Sequence, residues 1–148
     1  MAERPDIRLT PDEQAVFLRA NRKCALATLD PAGFPHIVAM NFTARDGAFY
    51  MTSYGKAQKV VNARRDPRVA LMVETGSAYA ELKGVMVRGR CEVIDDPDAV
   101  GRVFGWLAED RGEPRPAGAA RSAPKRVVLK IVPTRMVSWD HSKLGGRY

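Results

Sequence analysis

Apolar and polar residues alternate at a period of two along most of this chain, and two stretches break that rhythm with a helical period. Val85, Val87, Cys91 and Val93 alternate with Met86, Arg88, Arg90 and Glu92, which predicts a strand with one buried face. The strand runs through Tyr79–Ile94, either whole or broken at Gly84. Further strands are predicted over Cys24–Leu29, Pro35–Phe42, Ala48–Thr52, Arg68–Glu74 and Val127–Ser138. The turns Asp30-Pro31-Ala32-Gly33 and Arg45-Asp46-Gly47 join the first three at hairpin spacing. A first helix starts at the capping box Thr10-Pro11-Asp12-Glu13 and is expected to turn Val16, Phe17 and Ala20 toward a core. A later helix opens at Asp96-Pro97, and its Val100, Val103, Phe104 and Leu107 recur at helical spacing, a pattern that core packing explains. Residues 111–126, rich in Pro, Gly, Ala and Arg, read as a mobile loop. Residues 139–148 read as a polar tail, expected to be dispensable for folding. Six or so strands with two or three short helices predict a mainly β chain, a closed or nearly closed β-barrel, with a sandwich as the alternative.

Composition narrows the class. The chain has 148 residues, enough for one domain with a real core, and is 45% hydrophobic and 28% charged. It lacks an apolar run long enough for a membrane span, and charges fill its first seven residues where a signal peptide would be apolar, so a cytoplasmic protein is expected. Cys24 and Cys91 each lie in a strand-like apolar run and read as buried reduced thiols. With only His36 and His141 beside them, no zinc ligand set is recognisable. The net charge of +7 favours an anionic partner. Nucleic acid is the lesser reading, because no helix-turn-helix, zinc finger or aromatic RNA-binding signature is present.

The chemistry concentrates in Phe49–Val69. A strand ends in Thr52 and Ser53, a turn follows at Gly55, and a short basic helix runs on to Asp66-Pro67. Lys56 and Lys59 are three residues apart and would share a helix face. Hydroxyls, lysines and the free N–H groups of a helix start together suit a phosphate. An ordinary solvated basic helix is the plain alternative.

The capped helix, the Ala27-Thr28-Leu29-Asp30 hairpin with Gly33 and Pro35, the Phe49-Tyr50 strand with Thr52, and Lys59, Asn62 and Arg65-Asp66-Pro67-Arg68-Val69 together resemble the pyridoxamine 5′-phosphate oxidase-like superfamily. The resemblance spans about Leu9 to Lys143 and implies a split β-barrel with two or three short flanking α-helices. It also implies a homodimer with flavin sites at the subunit interface. By the resemblance, Lys59, Thr52 and Ser53 bind the cofactor phosphate, with Lys56 nearby and Ala57 and Gln58 at the helix start. Ile37–Phe42, with Ala39, Met40 and Asn41, lies along the flavin ring. Lys83 and Gly84 fall near the ring's pyrimidine side, and Trp139 reaches the partner's cofactor. The cations of a vitamin oxidase are missing: Ile37–Phe42 carries none, and Ala57-Gln58-Lys59 stands where those enzymes have Ser-Arg-Lys. The short length, Arg64–Val69 and the Trp139–Lys143 tail are more similar to the deazaflavin members, branch B of the flavin/deazaflavin oxidoreductases, which use coenzyme F420.

The resemblance therefore implies a reductase that passes a hydride between F420 and an unsaturated small molecule. An FMN-dependent oxidoreductase and a non-catalytic carrier of F420 or haem are the alternatives. His141 and Lys143 are the candidates for holding developing charge or donating a proton. Each residue also has a plainer role: Trp139 as an interface anchor, His141 as a solvated side chain, Lys143 as a surface charge and Asn62 as a local hydrogen-bonding group.

Overall fold

The computed structural model describes residues 3–115 and 123–146. Seven strands form one antiparallel, curled sheet: β1 (Lys23–Leu29), β2 (Pro35–Asn41), β3 (Thr43–Arg45), β4 (Ala48–Tyr54), β5 (Arg68–Thr75), β6 (Lys83–Ile94) and β7 (Arg126–Asp140). Their spatial order is β2-β1-β5-β6-β7-β4-β3. Three helices flank it: α1 (Pro11–Ala20), α2 (Gln58–Arg65) and α3 (Pro97–Asp110). The mainly β, barrel-like expectation with a few short helices holds.

Alternation sets the two faces of the sheet. The inner face carries Leu26, Met51, Leu71, Val85, Val87, Leu129 and Ile131, all buried, and Phe17 and Leu18 of α1 and Val60 and Ala63 of α2 join that core. A second cluster lies across the sheet, where Val100, Val103 and Leu107 of α3 cover Val128. Val127, Val128 and Leu129 are therefore buried in succession, because the strand is covered on both faces there.

Local chemistry explains the joints. Asp46 and Gly47 both have positive φ (50° and 77°), as a two-residue hairpin turn requires. The register of β6 and β7 slips between Arg88 and Gly89, and Thr134 donates to the Arg88 carbonyl there. That bulge lets Pro133 sit within a long central strand.

Several expectations change. α1 buries Phe17 and Leu18, while Val16 and Ala20 face solvent. Gln14, Phe17 and Leu18 stand at i, i+3 and i+4, so the buried stripe is centred one position later than Val16 and Ala20 require. β4 continues past Thr52 to Tyr54, and α2 begins only at Gln58. The strand expected over Pro35–Phe42 ends as β2 at Asn41, and the short β3 follows it, with the Phe42 N–H between them donating to the Arg22 carbonyl. Tyr79–Glu81 is a separate 3-10 turn before β6. The loop predicted over 111–126 lies partly outside the described residues, and Ala123–Lys125 forms a 3-10 turn.

The largest correction concerns the tail. Trp139 and Asp140 complete β7, and His141–Leu144 form a 3-10 turn that buries Leu144. The Asp140 N–H donates to the Ile7 carbonyl at 2.7 Å, and the His141 N–H donates to the Leu82 carbonyl at 2.9 Å. Lys143 donates to Glu13 Oε1 and to the Arg8 carbonyl, both at 2.8 Å. The tail is thus part of the packed fold.

Candidate functional site

The start of α2 differs from the other two helices. Thr10 and Asp96 cap α1 and α3 with side-chain oxygens, but the N-cap of α2 is Ala57, which offers none. Its first N–H groups therefore remain able to receive an anion. Lys59 is half-buried in the first turn and makes no ion pair among the described residues. Ser53 is buried on the inner face of β4, the face against which α2 packs. Its hydroxyl donates to the Tyr54 carbonyl at 3.4 Å, a weak bond that leaves it able to serve a ligand.

The two other members of the expected phosphate set lie elsewhere. Thr52 points to the opposite face of β4, paired with Val128 beneath α3. Consecutive strand residues cannot share a face, so Thr52 and Ser53 do not combine as side chains. Lys56 precedes the helix and lines a groove with Tyr54, Gly55, Arg64, Lys125 and Arg126, a lining that includes neither Lys59 nor Ser53. The shared helix face expected for Lys56 and Lys59 is absent because α2 starts two residues after Lys56.

Beneath α2 runs a polar seam that the sequence reading missed. Gln58 Nε2 donates to Asn62 Oδ1 at 2.7 Å, and Asn62 Nδ2 donates to Thr28 Oγ1 at 3.0 Å, with Asn62 and Thr28 both buried. Asn62 thus ties α2 to β1 across the core. Thr28 pairs with His36 on β2, whose buried Nδ1 has no hydrogen-bond partner among the described residues. β2 bonds to β1 along one edge and ends the sheet on its other, so its backbone groups there are open to a ligand. Ala39 and Asn41 point outward from it and Met40 points inward.

Lys83, Gly84, Trp139 and His141 gather at the other end of the sheet. The register sets Gly84 opposite Trp139, whose indole N–H donates to Glu74 Oε2 at 2.8 Å. A Cβ on Gly84 would lie 2.4 Å from the indole ring and 2.9 Å from the Val73 carbonyl oxygen. Gly84→Ala is therefore expected to displace the indole and destabilise the fold by about 1–3 kcal/mol, the usual overpacking cost. A thermal melt with tryptophan fluorescence checks this; an unchanged midpoint and spectrum would show that the ring yields freely.

Lys83 lies 3.5 Å from the buried Asp140 carboxylate. Ser142 also donates to that carboxylate, and Asp140 stays below the ordinary carboxylate range even though burial, the largest influence, opposes this. His141 packs against Tyr79 with ring centroids 4.5 Å apart. Its Nδ1 lies 2.8 Å from the Tyr79 carbonyl, a contact that assigns the proton to Nδ1. Lys143 is instead drawn to α1, where its bond, the largest influence, pulls the Glu13 carboxyl down to about 2. The two proton-transfer candidates are thus both engaged in closing the C-terminal turn. Burial pushes Cys24 and Cys91 up to about 12, which keeps both as inert thiols. Among the described residues no group of three metal-ligating side chains occurs, and no helix is long and apolar enough to cross a membrane.

The sequence profile of the family described as pyridoxamine 5′-phosphate oxidase matches residues 10–140. The chain belongs to that family. It is 30% identical over 122 residues to an F420H2-dependent biliverdin reductase of Mycobacterium tuberculosis (strain CDC 1551 / Oshkosh), a match covering 81% of each protein. Among solved structures, a conserved hypothetical protein from Mycobacterium tuberculosis superposes with a TM-score of 0.88 at 37% identity, over 100% of this chain and 95% of that one. An F420 reductase superposes with a TM-score of 0.67 at 27% identity, over 82% of this chain and 93% of that one. The curled seven-stranded sheet with three helices is thus the split β-barrel of this family.

Proposed function

We propose that the chain is an F420-dependent reductase that passes a hydride to an unsaturated small molecule. The match to an F420H2-dependent reductase over 81% of both proteins carries this reading. The likeness to an F420 reductase supports it. The residues fit such a cofactor: the open N-terminus of α2, Ser53 and Lys59, without an ion pair among the described residues, suit its phosphate, and the free edge of β2 suits the polar rim of its ring. Hydride transfer is the chemistry that the bound cofactor supplies. The chain's own part is to hold the phosphate, orient the ring along β2 and keep water from its face.

In the same reading the working unit is a homodimer with cofactor sites at the subunit interface. The outer face of the sheet supports this, with a row of small and apolar residues running across five strands: Ala39, Ala25, Met72, Met86 and Val137. Ala39, Met72 and Val137 of this row are exposed, and burying them against a second copy would recover roughly 25 cal/mol per Å² of apolar surface.

The test is a fluorescence titration of purified protein with F420 and, separately, with FMN. Tighter binding of F420 is the expected result. Preference for FMN would place the chain with the flavin-dependent oxidoreductases, and binding of F420 without turnover of any reduced cofactor would make it a carrier.

A further inference from the structure

Outside the cofactor region, the outer face of the sheet holds a groove of about 700 Å³ lined by Ala27, Leu29, Pro35, Ala70, Arg68, Arg88 and Arg90, among others. The strand registers show how it is built. One row across the sheet reads Ile37, Ala27, Ala70, Arg88 and Arg135. In the next, Pro35 pairs with Leu29 and Arg68 pairs with Arg90. The half of the groove on β1 and β2, with Ala27, Leu29 and Pro35, is thus apolar, and Arg68 of β5 with Arg88 and Arg90 of β6 makes the other half cationic. Arg68 is engaged by Asp66 at 2.7 Å, but Arg88, Arg90 and Arg135 make no ion pair among the described residues. Like charges gathered on one wall of a groove repel one another and attract an anion. Guanidinium groups suit a carboxylate in particular, through paired N–H donors.

We propose that this groove binds an amphipathic carboxylate, with its apolar body on Ala27, Leu29 and Ala70 and its acidic group at Arg88 and Arg90. That this ligand is the reductase's substrate rests on the function proposed above; the binding itself does not. The groove adjoins the apolar row assigned to the second subunit but is distinct from it, because its rows carry the arginines.

The probes are 1-pyrenebutyrate and its uncharged counterpart 1-pyrenebutanol, titrated into purified protein by pyrene fluorescence. The butyrate is expected to bind at least about tenfold more tightly, the usual scale of one charge-assisted bond. In Arg88→Gln/Arg90→Gln that preference is expected to vanish while F420 affinity stays at the parent value. Equal affinity for the two probes would overturn the proposal, as would a preference that survives in the double variant. A double variant that keeps the preference yet loses the dimer on size exclusion would overturn it in favour of a subunit contact. Failure of the parent protein to bind F420 would strike the reductase reading alone and leave the groove standing.

Discussion

Removing residues 139–148 is expected to cost the chain its cooperative fold at 37 °C. The deletion takes away Leu144, a buried leucine whose loss alone is worth about 2–5 kcal/mol by the usual cavity and transfer arithmetic. It also leaves the Ile7 and Leu82 carbonyls without the N–H groups of Asp140 and His141, and strips Trp139 from above Gly84. Natural domains have about 5–15 kcal/mol of stability in total, so the sum takes up most of it. Circular dichroism melts and urea midpoints measure the effect. One control isolates the turn: Leu144→Ala is expected to lower stability by about 2–4 kcal/mol. A truncation after Ser138 that melts within a few degrees of the parent would show that β7 is held by its own ladder and that the turn adds nothing.

The tail illustrates what could be read from residues alone. Leu144, the buried apolar residue after Trp139 among the described residues, stands among polar residues and glycines, so no period marks it as buried. The tail's attachments run to Ile7, Arg8, Glu13 and Leu82, partners distant in sequence that only the folded sheet brings close. The strands were legible for the opposite reason. Most carry a two-residue period and are bounded by Asp, Pro or Gly turns, so the pattern is local. α1 lies between these cases: ten residues hold too few turns for a sequence period to settle which of two adjacent stripes is buried.

The same division runs through the site. The basic helix after a strand was visible. The side chains' faces were not, because a strand that runs on to Tyr54 puts Thr52 and Ser53 on opposite faces and a helix that starts at Gln58 leaves Lys56 outside it. Ser53 and Lys59 stay with α2, whereas Thr52 turns to α3 and Lys56 to a separate groove. The Gln58–Asn62–Thr28 seam joins α2 to a hairpin more than thirty residues away, and only tertiary packing shows it.

That reassignment makes the second large effect a comparison between two lysines. Lys59→Ala is expected to weaken F420 binding by about tenfold or more, since a charge-assisted hydrogen bond contributes about 1.5–3 kcal/mol and each 1.4 kcal/mol is a factor of ten. Its stability is expected to hold, because Lys59 makes no ion pair among the described residues whose loss would strand a partner. Lys56→Ala is expected to change affinity much less, because Lys56 lies on an exposed turn in a different groove, where salt and water screen its charge. Fluorescence titrations of both variants at two salt concentrations, beside thermal melts, make the comparison. If Lys56→Ala carries the larger loss, the phosphate sits in the groove of Arg64, Lys125 and Arg126, and the open start of α2 is not its receptor. If neither variant loses affinity, the anion is held by the backbone N–H groups of α2 and the Ser53 hydroxyl, and Ser53→Ala becomes the variant with the largest effect.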